Sequence, residues 1–212
     1  MTTSVHIDEL IETAATMATS GNRSILGITG APGAGKSTLG SRIVDALGPD
    51  MSILVPMDGF HLANSVLVAT GLRQVKGALE TFDDAGYVNL LHRIRDQKSE
   101  EVIYAPTFNR DLEEPIAGSI LIRADVPLVV TEGNYLLAET GAWPTARTWL
   151  TESWFLNPER DSRQRWLVTR HMDFGKSQEE ARAWALGSDE NNAILIESTA
   201  HRADRILRVD GL

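Results

Sequence analysis

A run of nine residues near the start of the chain combines three glycines with a lysine and two hydroxyl side chains: Gly30-Ala31-Pro32-Gly33-Ala34-Gly35-Lys36-Ser37-Thr38. Glycine permits positive φ and leaves no Cβ between the backbone and a ligand, so consecutive N–H groups can wrap a polyphosphate. At this spacing the lysine supplies an ammonium for the β- and γ-phosphates, and the serine supplies a hydroxyl for Mg²⁺. The run therefore predicts a nucleotide-phosphate site.

The flanking segments favour this interpretation over a glycine-rich turn without a ligand. Residues 24–29 form an apolar run that predicts a buried strand, and a helical pattern extends from Lys36 to Leu47. A helix that begins at the loop points the positive end of its dipole at a bound phosphate. Strand, loop and helix are the context that this motif requires.

Two carboxylates follow two other apolar runs. Asp58 comes after the run 52–56, and Glu132 comes after the run 126–131. Ligands of open parallel sheets bind beyond the carboxyl ends of the strands, so we expect both side chains near the glycine-rich loop. A phosphoryl-transfer enzyme needs a group that orients or deprotonates the acceptor hydroxyl, and oxygen ligands for Mg²⁺. Capping of the following turn is the alternative function of each carboxylate.

Apolar runs alternate with helical patterns along the chain. Strands are predicted at 24–29, 52–56, 126–131, 149–156 and 205–209. Helices are predicted at 5–17, 36–47, 87–95, 158–171, 178–186 and 189–201. This alternation predicts an α/β fold in which helices cover both faces of a parallel sheet.

Residues 101–123 depart from this alternation. Two apolar runs, 102–106 and 119–122, flank a polar segment, which predicts a small β-hairpin-like insertion at the sheet edge. No long repeat, low-complexity linker or composition break indicates a second domain, so residues 1–212 are predicted to form a single domain.

The bulk composition limits the classes of partner. The net charge of −9 disfavours broad binding to nucleic acid or to anionic membranes, because both require a basic surface. The chain contains no cysteine, which excludes disulfides, thiolate metal sites and a cysteine nucleophile. The sequence shows neither a signal peptide nor an apolar run of membrane-spanning length, so we expect a cytoplasmic protein.

Motifs along nearly the whole chain resemble the uridine kinase, phosphoribulokinase and bacterial pantothenate kinase group of P-loop kinases. The matching motifs are the glycine-rich run, Pro56-Met57-Asp58-Gly59-Phe60-His61, Thr81-Phe82-Asp83, Glu132-Gly133-Asn134-Tyr135, the arginine-rich segment after Pro158, and Ala203-Asp204-Arg205-Ile206-Leu207. Their Asp-Gly-Phe-His and Glu-Gly-Asn-Tyr forms resemble more closely a bacterial subgroup labelled fructose-transport-system kinases. The resemblance implies a P-loop NTPase fold and ATP-dependent phosphorylation of a small-molecule hydroxyl, with ATP and Mg²⁺ bound. It also implies that Asp58 is the catalytic base and that Ser37 and Glu132 hold the metal.

The acceptor site is predicted around the segment that follows the catalytic base. Asp83 matches an acidic position that holds sugar hydroxyls in nucleoside kinases of this group, and it could instead cap the following helix. Phe82 is expected to form an apolar wall, and Lys76 to meet an acidic or phosphorylated acceptor. His61 is expected to bind the acceptor or to support the base, with a purely structural histidine as the alternative. Tyr104 belongs to the insertion, which the resemblance implies is a flap over the acceptor; packing on an edge strand is its alternative.

Basic residues concentrate in the segment 158–178: Arg160, Arg163, Arg165, Arg170, His171 and Lys176. The resemblance implies that this segment is a mobile helical lid whose arginines reach the nucleotide as it closes. Arg163 and Arg170 are seven positions apart, hence on roughly one helical face, and we predict that both bind the nucleotide. Arg170 is also predicted to act in catalysis. A solvated helix face with ordinary ion pairs is the alternative, which we favour for Arg160 and Arg165.

The sequence therefore predicts a kinase that acts on a small molecule. A sugar such as fructose is the first candidate acceptor, and a uridine-like nucleoside or a pantothenate-type acid is the alternative. A partner-regulated P-loop ATPase is the alternative from another functional class. A homodimer is compatible with the sequence.

Overall fold

The computed structural model describes residues 1–173, 175 and 177–212, with the backbone alone described at Ser188. The strands of this part of the chain are β1 (Thr3–His6), β2 (Ser24–Gly30), β3 (Ser52–Pro56), β4 (Ile103–Asn109), β5 (Glu114–Ile122), β6 (Leu128–Glu132), β7 (Glu152–Leu156) and β8 (Arg205–Asp210). Its α-helices are α1 (Ile7–Ala18), α2 (Lys36–Leu47), α3 (Asn64–Ala69), α4 (Asp84–Arg95), α5 (Trp143–Trp149), α6 (Arg160–Asp173), α7 (Gln178–Leu186) and α8 (Ser188–Ser198). The helices described here fall short of the length and hydropathy required for a membrane span.

Six strands form one parallel sheet in the order β1-β8-β7-β2-β6-β3. Every residue of the central strand β2 is buried, as expected for a strand covered on both faces. Its side chains alternate between two apolar cores: Leu26 packs with α1 and α2 on one face, and Ile25 packs with α4, α5 and α8 on the other. The predicted α/β fold with helices on both faces of a parallel sheet is confirmed.

Several element boundaries differ from the prediction, among them those at Val5 and Trp149. Val5 was expected in the first helix, but it belongs to β1 and pairs with Val209 of β8. This pairing joins opposite ends of the chain, so local helical periodicity could not reveal it. Trp149 was expected to begin a strand, but it ends α5, and the strand begins at Glu152.

The predicted insertion is an antiparallel hairpin of β4 and β5, longer than its two apolar runs suggested. It forms a separate two-stranded sheet and does not pair with the main sheet. Ile103, Ala105 and Ile122 are its buried anchors, and they join the core on the α4 side. The hairpin therefore reaches beyond the sheet edge from a packed base.

Gly59 allows the hairpin to approach the end of β3. It lies in a single 3₁₀ turn, Met57–Phe60, which directly follows that strand. An added Cβ at Gly59 would lie 2.7 Å from the carbonyl carbon of Pro106 and closer still to its oxygen. Because the overlapping atoms of Pro106 belong to the backbone of β4, no side-chain rotation can relieve this overlap.

We therefore expect Gly59→Ala to destabilise the protein by about 1–3 kcal/mol, as overpacking does. Gly40→Ala is the matched control, because its added Cβ would overlap with the flexible end of Leu54, at 2.9 Å, and make an ordinary contact with Val130, at 3.8 Å, and because alanine favours a helix. Urea unfolding of both variants measures the difference. Equal stability of the two variants would contradict a close contact between hairpin and turn.

Candidate active site

The glycine-rich loop connects β2 to α2 at the carboxyl edge of the sheet. Gly33 and Gly35 have φ of 80° and 90°, which a side chain at either position would strain. An added Cβ at Gly33 would also lie 2.9 Å from the carbonyl oxygen of Arg163 on α6. The loop is thus held between the sheet and α6, and α2 begins at its end with Lys36.

Lys36 places its ammonium inside the loop. Nζ donates to the carbonyl oxygens of Gly30 at 2.9 Å and Ala31 at 3.1 Å, and the residue is buried. Burial lowers the pKa of Lys36 to about 8, while the nearby Glu132 carboxylate opposes this shift. The loop therefore holds a positive group where the sequence motif requires one.

Ser37 and Glu132 meet across the gap between α2 and β6. Ser37 Oγ donates to Glu132 Oε1 at 3.1 Å, and the glutamate is buried at the end of β6. Desolvation, and then the charge of Asp58, raise the pKa of Glu132 to about 7, although Lys36 favours its ionised form.

A cation beside Glu132 would lower the cost of its buried charge, so this donor pair fits Mg²⁺. The described residues contain no group of three or more potential metal-ligating side chains. That finding is compatible with Mg²⁺, which nucleotide sites bind through one or two protein oxygens together with phosphates and water.

Asp58 extends from the 3₁₀ turn after β3, and its side chain is 30% exposed. Its Oδ2 accepts a hydrogen bond from Nη2 of Arg110, at 3.2 Å. His61 Nδ1 lies 2.8 Å from the backbone oxygen of Asp58, so this nitrogen carries the proton and donates. The histidine ring packs between Phe82 and Phe108, at centroid distances of 4.0 and 4.6 Å.

Burial lowers the pKa of His61, which keeps the ring neutral. Its position accounts for one of the two predicted functions, since it supports the turn that carries Asp58. An additional contact with the acceptor stays a prediction.

A cavity of about 520 Å³ adjoins the glycine-rich loop. Its lining residues are Gly33, Gly35, Lys36, Ser37, Thr38, Arg110, Trp166, Arg170 and Leu212. Arg170 thus lies near the loop, as predicted. Desolvation, and then the charge of Arg110, lower the pKa of its guanidinium.

The structure corrects the function predicted for Arg163. Its side chain is only 2% exposed, and it donates to the Pro32 carbonyl at 3.2 Å and to Glu190 at 2.8 Å. It therefore braces the outer side of the loop against α8 instead of extending toward a nucleotide. Helical spacing placed Arg163 and Arg170 on one face but could not show that the loop covers the first of them.

Arg160 and Arg165 have the structural contacts that we favoured for them. Arg160 pairs with Glu190, and Arg165 donates to Ser162. His171 lies 2.7 Å from Asp189. Lys176 lies outside the described residues, and the mobility of the predicted lid stays a prediction.

Two predicted acceptor residues have structural partners. Asp83 caps α4 by accepting from Gly86 N at 2.8 Å, which is the alternative that the sequence left open. Lys76 donates to Asn64 Oδ1 at 2.7 Å and to the Glu113 carbonyl. It ties the hairpin to α3, and a contact between its ammonium and an acceptor stays a prediction.

The two predicted aromatic acceptor residues differ in exposure. Phe82 is buried and makes edge contacts with Tyr135 and Trp143, so it is a core residue that meets the site through His61. Tyr104 is exposed on β4. An acceptor contact for either Asp83 or Tyr104 stays a prediction.

Sequence reasoning missed three residues of the cavity: Arg110, Trp166 and Leu212. Trp166 is 49% exposed and lines the cavity four positions before Arg170. Arg110 lies within the predicted insertion, and its contact with Asp58 depends on how the hairpin folds back. The spacing of Trp166 and Arg170, one turn apart, was a usable signal.

No protein-family model matches the chain. A crystal structure from Silicibacter sp. TM1040, provisionally identified as a fructose transport system kinase, is 33% identical with a TM-score of 0.84, over 95% of this chain and 98% of that one. A Schizosaccharomyces pombe protein provisionally named a uridine kinase is 28% identical over 95% of this chain and 89% of its own length. The uncharacterised YggC of Escherichia coli K12 is 30% identical over 88% of this chain and 78% of its own length.

We expect Arg163→Gln to destabilise the protein by about 3 kcal/mol, because it breaks a buried ion pair. It should also weaken ATP binding, because the Pro32 carbonyl loses its donor. Arg160→Gln is the matched control: it removes an arginine from the same Glu190, but that side chain is 67% exposed, so the cost should stay below about 1 kcal/mol. Urea unfolding measures the loss of stability, and ATP titration measures the loss of affinity. Equal losses in the two variants would contradict a supporting contact between Arg163 and the glycine-rich loop.

Trp166 should report nucleotide binding. We expect ATP to change the tryptophan fluorescence of the protein, and Trp166→Phe to remove most of that change, because the indole lines the cavity of the loop. Trp184→Phe is the control, since Trp184 is also exposed but belongs to α7. A full fluorescence response in the Trp166 variant would place the nucleotide elsewhere.

Proposed function

The chain belongs to the uridine kinase, phosphoribulokinase and pantothenate kinase family of P-loop kinases, and from this we propose that it transfers the γ-phosphoryl group of ATP to a hydroxyl of a small, neutral, sugar-like molecule. The observation that carries the proposal is the convergence of Lys36, Glu132 and Asp58 at one edge of the sheet. Lys36 lies at the end of the glycine-rich loop, and Glu132 accepts a hydrogen bond from Ser37 in the first turn of α2. Asp58 extends from the 3₁₀ turn after β3.

Each of these side chains has a separate function in the proposed reaction. Lys36 and Arg170 bind phosphate oxygens, and Asp58 orients the acceptor hydroxyl and takes its proton. The acceptor oxygen forms a bond to the γ-phosphorus as the bond to the β,γ-bridging oxygen breaks, and ADP leaves with that electron pair. Ser37 and Glu132 would hold Mg²⁺, which supplies charge neutralisation at the β- and γ-phosphates when bound.

The contacts on the acceptor side support a neutral acceptor. Lys76, the side chain predicted for an anionic acceptor, is engaged with Asn64 and Glu113. The Silicibacter protein is provisionally identified as a fructose transport system kinase, and the Schizosaccharomyces protein as a uridine kinase. A sugar such as fructose is therefore our first candidate, and a nucleoside is the second.

A comparison of ADP release across a panel of acceptors tests the proposal. We expect strong stimulation by one neutral sugar or nucleoside, and a product that is heavier by one phosphoryl group. Preference for pantothenate or for a phosphorylated sugar would contradict the neutral acceptor. ADP release that no acceptor stimulates would contradict kinase activity and favour a partner-regulated ATPase.

We expect Asp58→Asn to reduce turnover by about 10²–10⁴-fold, because general base catalysis contributes that much, while ATP still binds. Lys36→Ala is the complementary variant, and it should weaken ATP binding whichever acceptor is used. Steady-state kinetics and ATP titration separate the two effects. Normal turnover of the Asp58 variant would remove this residue from the proposed reaction.

A further inference from the structure

We propose that Arg110 is a catalytic residue: its guanidinium contacts Asp58 and donates hydrogen bonds to the γ-phosphoryl group as this group moves to the acceptor. The inference rests on the proposed function and adds to it a residue from the hairpin. The inference follows from the position of Arg110, which lines the cavity beside the glycine-rich loop and donates a hydrogen bond to Asp58.

The hairpin holds its position through contacts that do not involve Arg110. Pro106 packs against Gly59 at the turn that carries Asp58. Phe108 packs against His61, and both carboxylate oxygens of Glu114 lie 3.0 Å from the backbone nitrogen of Asn64. The β4–β5 tip is therefore fixed beside the site by packing and by hydrogen bonds to the main body of the protein.

The tip then directs Arg110 inward. Asn109 Oδ1 accepts hydrogen bonds from the backbone nitrogens of Asp111 and Leu112, at 3.0 and 2.9 Å. These two hydrogen bonds fix the turn that contains Arg110. The Arg110 guanidinium lies over the Phe108 ring, 5.8 Å from its centroid. From there Nη2 reaches Asp58 Oδ2 at 3.2 Å.

Arg110 adds a third positive group to one cavity. Lys36, Arg110 and Arg170 all line it, and Arg110 lowers the pKa of Arg170 by like-charge repulsion. Asp58 and Glu132 offset part of this positive charge, and a transferring phosphoryl group, whose oxygens carry negative charge, would offset the rest. A guanidinium also has five N–H donors in a planar fork, so it can serve a carboxylate and a phosphoryl oxygen together.

Structural stabilisation by the Arg110–Asp58 pair is a weaker explanation. The two side chains are 45% and 30% exposed, and exposed ion pairs contribute little to stability. The hairpin is already anchored by Pro106, Phe108 and Glu114. A residue between the proton acceptor and the phosphate loop is instead placed on the path of the transferred group.

In the proposed step, Arg110 changes no bond of its own. The acceptor oxygen bonds to the γ-phosphorus, the bond to the β,γ-bridging oxygen breaks, and Asp58 receives the hydroxyl proton. Arg110 donates to a γ-phosphoryl oxygen as the group moves to the acceptor, and it keeps Asp58 directed at the acceptor. Its contribution should therefore be to turnover more than to ATP affinity.

The test compares Arg110→Gln and Arg110→Lys with Arg123→Gln. Arg123 lies just beyond the other end of the hairpin, is similarly exposed, and pairs with Asp50 and Asp125. ADP release is measured at saturating Mg-ATP, both with the best acceptor of the panel and with water alone. ATP affinity and thermal unfolding are measured for each variant.

We expect Arg110→Gln to lower turnover by about 10²–10³-fold, the usual loss when a transition-state donor is removed, with little change in ATP affinity or unfolding temperature. Arg110→Lys should fall between it and the wild type, because it retains charge but not the fork. Arg123→Gln should retain wild-type turnover.

Two results would overturn the inference in distinguishable ways. Wild-type turnover in Arg110→Gln, or a loss explained by a lower unfolding temperature, would leave the kinase proposal standing and remove Arg110 from catalysis. Failure of the wild-type protein to bind ATP or to release ADP would remove the proposed function, and this inference with it.

Discussion

The buried ammonium of Lys36 is the constraint around which the site is arranged. A charged group out of water is unstable unless hydrogen bonds and opposite charges surround it. Two loop carbonyls accept from Nζ, and Glu132 and Asp58 both favour its charged form. The parallel sheet makes this possible, because β2, β6 and β3 are neighbours and all end at the same edge.

The loop also needs support on its outer side, and α6 provides it. Gly33 allows the α6 backbone to approach the loop, and Arg163 then fixes the Pro32 carbonyl and joins it to Glu190 of α8. Hydrogen bonds from Arg163, Gln164 and Arg160 outweigh the burial of Glu190 and lower its pKa. The start of α6 is thus part of the phosphate site, and Arg170 is placed two turns farther along this anchored helix.

Much of this arrangement could be predicted from local sequence. The loop motif places its own lysine and serine, and apolar runs followed by carboxylates indicate which strand ends form the site. Contacts between distant segments could not be predicted in this way. Arg163 and Arg170 have the same spacing whether the loop covers one or both, and the capping of α4 by Asp83 competes with any acceptor contact at that side chain. The contact between Arg110 and Asp58 spans 52 positions and exists only because Gly59 admits the hairpin.

The two sides of the site are built on different parts of the fold, and this separation has a consequence for specificity. The phosphate side consists of β2, α2, β6 and α6, joined by buried hydrogen bonds and a buried ion pair. The acceptor side consists of the β3 turn and the hairpin, which meet at Gly59, at the rings around His61 and at the contact between Arg110 and Asp58. Substitutions in the hairpin can therefore reshape the acceptor side while Lys36 keeps its partners. If Arg110 spans both sides as proposed, it is the residue that such changes must retain, because it joins the variable acceptor side to the fixed phosphate side.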